Sequence, residues 1–209
     1  MRKLKVDFND YDKIEKNYSQ ASQDLFALIC TDGKRNGTFL DLGCSDPTNI
    51  NNTYLLENDF NWTGVSIDID KSLIEKFQKV RKTKSFNLDC TKLNFDEILE
   101  NYDNNHIDYL SLDLEPASVT FACLKTLPLN KIEFSVITYE HDEYRFGETY
   151  KVESRKIFEQ HGYKLICSNV SDNKLPYEDW YINPKYVDFE KIKTLVSDNK
   201  NWQEILFLN

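Results

Sequence analysis

Carboxylates follow several apolar stretches of the sequence, at positions where an ionised side chain is costly unless it has a partner. Asp41, Asp68 and Asp113 each come directly after such a stretch, and Asp89 and Glu140 close two more. A carboxylate in this setting needs hydrogen-bond donors or positive charge to offset the lost water. A ligand rich in hydroxyl, amino or sulfonium groups supplies such partners. The pattern therefore predicts a ligand site built from acidic side chains.

Hydrophobic periodicity places these acids at the ends of strands. The apolar and β-branched runs predict strands at 38–42, 63–69, 85–88, 106–112, 132–139, 163–170 and 179–182. Residues at helical spacing predict helices at 19–30, 53–58, 71–80, 95–102, 117–127 and 150–161, and a polar C-terminal helix from Lys185 onward. Strands alternating with helices indicate an α/β fold, with an open, mostly parallel sheet and helices on both faces.

The order of elements predicts one domain with three parts. Residues 1–36 are expected to form an N-terminal helical lid, residues 37–184 a Rossmann-like core, and residues 185–209 a C-terminal helical tail. In an open α/β sheet, ligands bind outside the carboxyl ends of the strands. The acids at the strand ends are therefore expected to line one common site.

Gly43, after the first predicted strand, discriminates between nucleotide ligands. A dinucleotide site needs three glycines spaced G-x-G-x-x-G so that helix amides can meet a pyrophosphate. Here Gly43 is followed by Ser45 and Pro47 at the next positions. One glycine, with an acid at Asp68 for a ribose, favours a nucleoside without phosphates, such as S-adenosylmethionine. NAD is the alternative that this pattern disfavours.

Charge and composition limit the class of partner. The chain has 209 residues, with 26 Lys and Arg against 35 Asp and Glu, for a net charge of −9. An acidic domain repels phosphate backbones and anionic membranes. We therefore expect a small-molecule or glycan acceptor and no nucleic-acid or membrane partner. The sequence does not specify an oligomeric state.

Cysteine usage and the N-terminus bear on location. The five cysteines are odd in number and show no C-x-x-C spacing, so neither a disulfide framework nor a zinc site is indicated. No apolar h-region follows Met1, and no apolar run approaches the ~20 residues of a membrane span. We expect a cytoplasmic protein.

Several motifs occur in a defined order. Ahead of the first predicted strand lies Ser19-Gln20-Ala21-Ser22-Gln23-Asp24. The first strand and the loop after it contain Gly37-Thr38-Phe39-Leu40-Asp41-Leu42-Gly43-Cys44-Ser45-Asp46-Pro47, then Asn51-Asn52-Thr53, then Asn61-Trp62-Thr63-Gly64. Later motifs are Leu110-Ser111-Leu112-Asp113-Leu114-Glu115-Pro116, Glu140-His141, Gly162-Tyr163 and Asp179-Trp180-Tyr181. In this order the motifs resemble the FkbM family of methyltransferases over residues 18–184.

Three positions depart from the family pattern. Asn51 replaces the serine of a Ser-Asn-Thr motif, and Asn61 replaces a common glycine before Trp62. Pro116 replaces the glycine after Glu115 and so removes an amide donor and stiffens the loop. The Pro116 departure affects the expected acceptor geometry more than the cofactor site.

The resemblance implies a Rossmann-like fold, S-adenosylmethionine as methyl donor and O-methylation of a hydroxyl on a sugar, glycan or small metabolite. It implies that the methionine part meets Asp41, Gly43 and Ser45, and that Asn52 also binds the cofactor. Asp68 would then bind the ribose hydroxyls and Asp89 would face the adenine. The methyl-transfer end would be lined by Asp113, Glu115, Glu140 and His141, with Asp113 also touching the cofactor.

Two routes for activating the acceptor hydroxyl remain open. His141 is the histidine at a predicted strand end, and it is the candidate general base. A divalent ion such as magnesium, held by Asp113, Glu115 and Glu140, is the alternative, because carboxylate oxygens suit hard cations.

Each candidate also has a structural interpretation. Asp41 and Asp68 can cap the helices that follow them, Asp89 can form a turn, and His141 can be an exposed loop residue. The alternative functions are an NAD-dependent oxidoreductase, a non-catalytic S-adenosylmethionine-binding protein and a pure interaction module.

Overall fold

A computed structural model describes residues 2–208, in which eight strands form one sheet. They are β1 (Thr38–Leu42), β2 (Thr63–Asp68), β3 (Lys84–Asn87), β4 (His106–Leu112), β5 (Glu133–Glu140), β6 (Lys164–Asp172), β7 (Leu175–Ile182) and β8 (Ser197–Asp198). Their order across the sheet is β3-β2-β1-β4-β5-β7-β6-β8. Strand β7 runs antiparallel to β5 and β6, and the other neighbouring pairs are parallel.

The helices lie between and after these strands. They are α1 (Gln23–Cys30), α2 (Tyr54–Phe60), α3 (Lys71–Val80), α4 (Phe95–Leu99), α5 (Ala117–Thr126), α6 (Glu143–Phe146), α7 (Thr149–Gln160), α8 (Phe189–Ile192) and α9 (Trp202–Leu206). Short 3-10 turns occupy Tyr11–Lys13, Cys90–Lys92 and Lys193–Leu195. Within residues 2–208, no helix combines the length and the hydrophobicity needed to cross a bilayer.

Two apolar layers hold the helices against the sheet. Strand residues such as Phe39 and Tyr109 pack with α1 and α2 on one face, while Leu40 and Leu110 pack with α4, α5 and α7 on the other. All four side chains are fully buried. Because both faces are covered, the central strands are nearly continuous apolar runs, as expected for a parallel sheet. The predicted fold class, a Rossmann-like open sheet with helices on both faces, is confirmed.

The sequence predicts the first and last residues of several elements correctly. The bounds of β1, β4 and α3 match the predicted ranges. In α3 the apolar stripe buries Ile74 and Phe77, and the helix begins at the cap Asp70, whose carboxylate accepts from the N–H groups of Ser72 and Leu73. Asp70 therefore performs the capping role that was considered for Asp68.

The first helix starts later than periodicity predicts. It begins at Gln23 instead of residue 19, because the fully buried Asp24 carboxylate accepts from the backbone N–H groups of Tyr18 and Ser19. Ser22 has a φ of 60° in the left-handed region. These contacts keep residues 18–22 out of the helix and fold them into a turn.

The prediction of one helix from Lys185 onward is wrong. The chain forms the four-residue α8, a 3-10 turn, the edge strand β8 and the short α9. Asp188 and Asn201 cap α8 and α9, and Asn199 is left-handed. Short polar side chains that bond nearby amides compete with a continuous helix. The segment instead buries Leu195 and adds β8 beside β6.

The strand order creates a crevice between β1 and β4. From β1 the chain builds outward through β2 and β3, and it then returns to place β4 on the other side of β1. Helices that leave β1 and β4 therefore cover opposite faces, and a gap opens at the carboxyl ends of these two strands. The register aligns Asp41 with Ser66 on β2 and with Ser111 on β4.

Two leucines that differ in burial provide a matched test of this core. Leu110→Ala on β4 empties space inside the sheet, so we expect it to lower the free energy of unfolding by about 2–5 kcal/mol. Leu175→Ala changes a residue that is 49% exposed and should cost less than about 1 kcal/mol. Urea denaturation of both variants measures the difference, and equal losses would contradict the described core.

Candidate functional site

A cavity of about 610 Å³ lies at the carboxyl edge of the sheet, over the gap between β1 and β4. The loops after β1, β2, β3 and β4 contribute to its wall, and so does Glu140 at the end of β5. The predicted site residues that line it are Asp41, Gly43, Ser45, Asn52, Asp68, Asp89, Asp113, Glu115 and Glu140. Nine of the residues predicted from the five strand ends and the loops after them therefore meet in one cavity.

Gly43 lies at the floor of this cavity, where the backbones after β1 and β4 approach most closely. Its φ is +89°, and an ideal Cβ built on it would lie 1.8 Å from the carbonyl oxygen of Asp113. Its N–H donates to the carbonyl of Ile67 at 2.9 Å, and the N–H of Asp113 donates to Leu42 at 3.0 Å. A side chain at this position has neither the space nor a favourable φ.

Asp41 lies below Gly43 and is almost completely buried. Its Oδ2 accepts a hydrogen bond from the Thr53 hydroxyl at 2.9 Å. Burial raises the pKa of Asp41 to about 6, although the Thr53 hydrogen bond and the charge of Arg81 act to lower it. The carboxylate therefore changes charge close to neutral pH, and a cation in the cavity would favour its ionised form.

Asp68, at the end of β2, faces the same cavity. One carboxylate oxygen accepts from the N–H of Ser45 at 2.9 Å, and the other accepts from the N–H of Asp70 at 2.8 Å. These bonds fix the carboxylate beside the loop after β1. A carboxylate that two amides hold in place is oriented to accept hydroxyl groups from a ligand with its remaining lone pairs.

Exposed apolar side chains form one wall beside Asp68. Ile69 is 72% exposed and Leu88 is 43% exposed, and both line the cavity at the ends of β2 and β3. Sequence reasoning missed these residues, because periodicity assigned both to the ends of strands. Exposed Ile and Leu side chains flanking a polar cavity are suited to hold a flat apolar ring.

Asp89 lies near this wall but is also engaged in its own turn. It caps the 3-10 turn Cys90–Lys92, accepting from the N–H and hydroxyl of Thr91 at 3.0 and 2.7 Å. Hydrogen bonds from Lys92 and Thr91 lower its pKa to about 2. These contacts are those of a turn-forming residue. Asp89 also lines the cavity, and its contact with a ligand stays a prediction.

Asp113 and Glu140 form a carboxylate pair at the other end of the cavity. Burial and the adjoining Asp113 carboxylate, which is hydrogen-bonded to it, raise the pKa of Glu140 far above its ordinary value. The repulsion between the two neighbouring carboxylates therefore favours the protonated form of Glu140.

Glu140 also lies close to two other carboxylates, those of Glu115 and Asp142. Glu115, Glu140 and Asp142 each place an oxygen within 4.8 Å of the others, so Asp142 takes the position predicted for Asp113 in a magnesium site. Arg145 Nη1 donates to the two oxygens of Glu115 at 3.0 and 3.1 Å and lies 3.4 Å from Asp142 Oδ2. This guanidinium supplies the positive charge that a metal ion would bring, and the raised pKa of Glu140 disfavours the ionised carboxylate that a metal ion would need. The arrangement fits an ion pair better than magnesium.

His141 does not reach the cavity, although it was predicted as the general base. Its side chain is fully buried; Nδ1 accepts from the N–H of Glu143 at 3.2 Å and Nε2 lies 3.4 Å from Asp179 Oδ1. Successive side chains of an extended segment point to opposite sides, so Glu140 and His141 cannot both face the ligand. The alternative of an exposed loop histidine is also wrong. His141 fixes the turn after β5.

The N-terminal segment covers one side of the cavity. Gln20 lines it, within the turn that Asp24 holds. Gln23, which is buried at the start of α1, donates from Nε2 to Glu178 Oε1 at 2.9 Å, and burial raises the pKa of Glu178 to about 8. The segment is thus tied to β7 by a buried polar contact.

The cavity wall has one sign of charge. Its acidic residues are Asp41, Asp46, Asp68, Asp89, Asp113, Glu115 and Glu140, and no Lys, Arg or His of the described chain lines it. Low-dielectric walls of one sign concentrate the opposite charge. The site is therefore electrostatically suited to a cationic ligand and unsuited to a phosphate-bearing one.

No protein-family model matches this chain, and a search of curated proteins finds no significant relative. Solved structures do resemble it. One is a Clostridium thermocellum protein provisionally designated an rRNA methylase, with a TM-score of 0.56 and 14% identity over 81% of this chain and 97% of that one. Another is an rRNA methylase from Streptococcus thermophilus, with a TM-score of 0.51 and 12% identity over 81% and 98%.

A third similar structure was solved with a ligand. It is a Streptococcus mutans protein provisionally designated a methyltransferase, in complex with SAH, with a TM-score of 0.51 and 10% identity over 81% of this chain and 99% of that one. At such identities the likeness concerns the fold alone, which this chain shares with the three proteins. The resemblance to the FkbM family stays a prediction.

Gly43 can be tested against a second glycine with a similar backbone. Gly43→Ala forces a methyl group onto the Asp113 carbonyl, so we expect loss of ligand binding and destabilisation well beyond the ~1 kcal/mol of left-handed strain. Gly162 has a φ of +81° with open space around its missing Cβ, so Gly162→Ala isolates that strain. Thermal unfolding and ligand titration compare the two. If the variants behave alike, the close approach of β1 and β4 is not a constraint.

Proposed function

We propose that this protein is an S-adenosylmethionine-dependent methyltransferase that methylates a hydroxyl of a sugar, glycan or small metabolite. The observation that carries the proposal is the cavity at the β1–β4 gap, with seven acidic side chains and no basic one among the described residues. The donor has a sulfonium and an ammonium group, which this wall attracts. The pyrophosphate of NAD would meet repulsion there, so an oxidoreductase is disfavoured.

The shape of the cavity supports a definite orientation for the donor. Asp41 and the loop at Ser45 and Asn52 would hold its amino-acid end beside Gly43. The Asp68 carboxylate, fixed by two amides, would accept the ribose hydroxyls. Ile69 and Leu88 would flank the adenine. The reactive methyl group would then point toward Asp113 and Glu140.

The donor brings an activated methyl group, since a sulfonium is already a good leaving group. The residues of the chain are therefore needed mainly to position donor and acceptor in line. Orientation of this kind can lower a barrier by about 7–11 kcal/mol. A cavity whose polar groups are already hydrogen-bonded in place is consistent with that role.

The Asp113–Glu140 pair is the proposed base for the acceptor hydroxyl. A carboxylate oxygen of this pair can accept the proton of the acceptor hydroxyl, as carboxylates do in general-base catalysis. Proton removal by such a group adds roughly 10²–10⁴-fold to a rate. This assignment replaces His141 and requires no metal.

The donor can be identified by thermal unfolding with S-adenosylmethionine, S-adenosylhomocysteine and NAD, each at large excess. A ligand at 100 times its Kd stabilises the fold by about 2.7 kcal/mol, or roughly 5–11 °C for a chain of this size. We expect such a shift with both sulfur ligands and none with NAD. A shift with NAD alone would favour the oxidoreductase, and no shift at all would refute a nucleoside site.

The carboxylate pair can be tested by formation of S-adenosylhomocysteine with a panel of free sugars and glycosides as acceptors. Asp113→Asn and Glu140→Gln each remove one carboxylate of the pair, so we expect kcat to fall by roughly 10²–10⁴-fold. Glu153→Gln, at an exposed carboxylate that is paired with Lys156 and does not line the cavity, is the control and should stay within a few-fold of wild type. Wild-type kcat in both pair variants would remove the pair as base, and methylation of RNA in place of sugars would overturn the acceptor class.

A further inference from the structure

Arg81 lies outside the cavity, yet its contacts lead directly to the donor site. We infer that Arg81 is a positioning residue, which holds the loop of residues 44–53 and the Asp41 carboxylate in the arrangement that binds the donor. This inference rests on the proposed function of the cavity. It assigns to the reaction a residue that no sequence motif indicated.

The Arg81 side chain is fully shielded from solvent and follows the last turn of α3. Its Nε donates to Glu57 Oε2 at 2.6 Å. Its Nη1 donates to the Pro47 carbonyl and to Asn51 Oδ1, both at 3.0 Å, and Nη2 donates to the Thr53 hydroxyl at 3.1 Å. One ion pair thus fixes the guanidinium, and three further bonds reach the loop after β1.

The loop relays these contacts to the cavity. Asn51 Nδ2 donates to the carbonyls of Cys44 and Asp46 at 2.9 and 3.0 Å, and both of those residues line the cavity. The Thr53 hydroxyl, which accepts from Arg81, donates to Asp41 Oδ2 at 2.9 Å. Arg81 is therefore linked to the cavity wall through one intervening side chain on each of two paths. One path runs through Asn51 and the other runs through Thr53.

The backbone of the loop shows why such support is needed. Ile50, a β-branched residue on the cavity wall, has a φ of 51° and is 58% exposed. A left-handed conformation is unfavourable for this residue type and persists only where surrounding contacts hold it. Asn51, the next residue, is bonded to Arg81. The loop is consequently kept in a conformation that it would not adopt alone.

The same network affects the charge of Asp41. The charged and titratable groups that act on Asp41 are Arg81, Asp113, Cys44, Tyr102 and Tyr109. Burial raises the pKa values of the cysteine and both tyrosines, so these three stay neutral near pH 7. Thr53 and Arg81 act to lower the pKa of Asp41, and Asp113 acts to raise it. Loss of the Arg81–Thr53 link would thus leave Asp41 protonated to a higher pH.

The sign of the pH effect follows from the donor's charge. Above the pKa of Asp41 its carboxylate is ionised and attracts a cation, and below about 6 it is neutral. Donor affinity is therefore expected to weaken as the pH falls through about 6. With Thr53 or Arg81 altered, the same weakening should begin at a higher pH.

The test is calorimetric titration of the full chain with S-adenosylmethionine from pH 5 to 8. Thr53→Val removes the bridging hydroxyl at constant shape, and Arg81→Lys keeps a charge for Glu57 but cannot reach the three loop acceptors together. We expect each variant to raise the donor Kd at pH 7 by about tenfold or more, because each loses a hydrogen bond to a charged group. Both should shift the pH midpoint upward, and Thr53→Ser should restore it.

Ile205→Ala is the control for general destabilisation, because Ile205 is buried in α9 and does not line the cavity. It should lower the melting temperature with donor Kd and pH midpoint unchanged. If the wild-type protein binds the donor and the Thr53 and Arg81 variants match it, or Ile205→Ala weakens binding equally, the inference is refuted and the proposed function stands. If the wild-type protein binds neither donor nor S-adenosylhomocysteine, both are refuted.

Discussion

The close approach of two backbones at Gly43 is the constraint on which the rest of the site depends. Here the chain leaving β1 passes against the carbonyl of Asp113, which leaves β4. The approach is possible because these strands are neighbours at the point where the strand order reverses. It brings the loops after β1 and β4 together, so Asp41 and Asp113 border one cavity. A side chain at Gly43 would separate the two halves of the site.

The strand ends could be predicted from the sequence because apolar runs and the acids that close them are local signals. Asp41, Asp68, Asp89 and Asp113 were placed in one site by the rule for open sheets alone. His141 was misassigned because the side to which it points depends on the pleat, which the sequence does not show. Arg81 was missed because its partners are 24 to 34 residues away in the chain. Contacts of that kind exist only after folding.

Errors in the helices have a similar origin. Periodicity predicts a helix wherever apolar spacing continues, but short polar side chains can bond the backbone instead. The Asp24 side chain bonds the backbone of the residues that precede α1. The Asp188 and Asn201 side chains cap separate short helices in the C-terminal segment. The acids at the strand ends are stable for the same reason. The carboxylates of Asp68 and Asp24 accept hydrogen bonds from backbone N–H groups. A chain with a net charge of −9 can therefore place carboxylates inside its fold.

The Arg81 network also has a consequence for the kinetics of donor entry. Asn51 and Thr53 are held by a buried guanidinium that belongs to the end of α3, so this loop loses its conformational freedom when the chain folds. Binding that orders no loop carries a smaller entropic penalty, and association is not slowed by a closing step. Differences in affinity among nucleosides would then appear mainly in their dissociation rates.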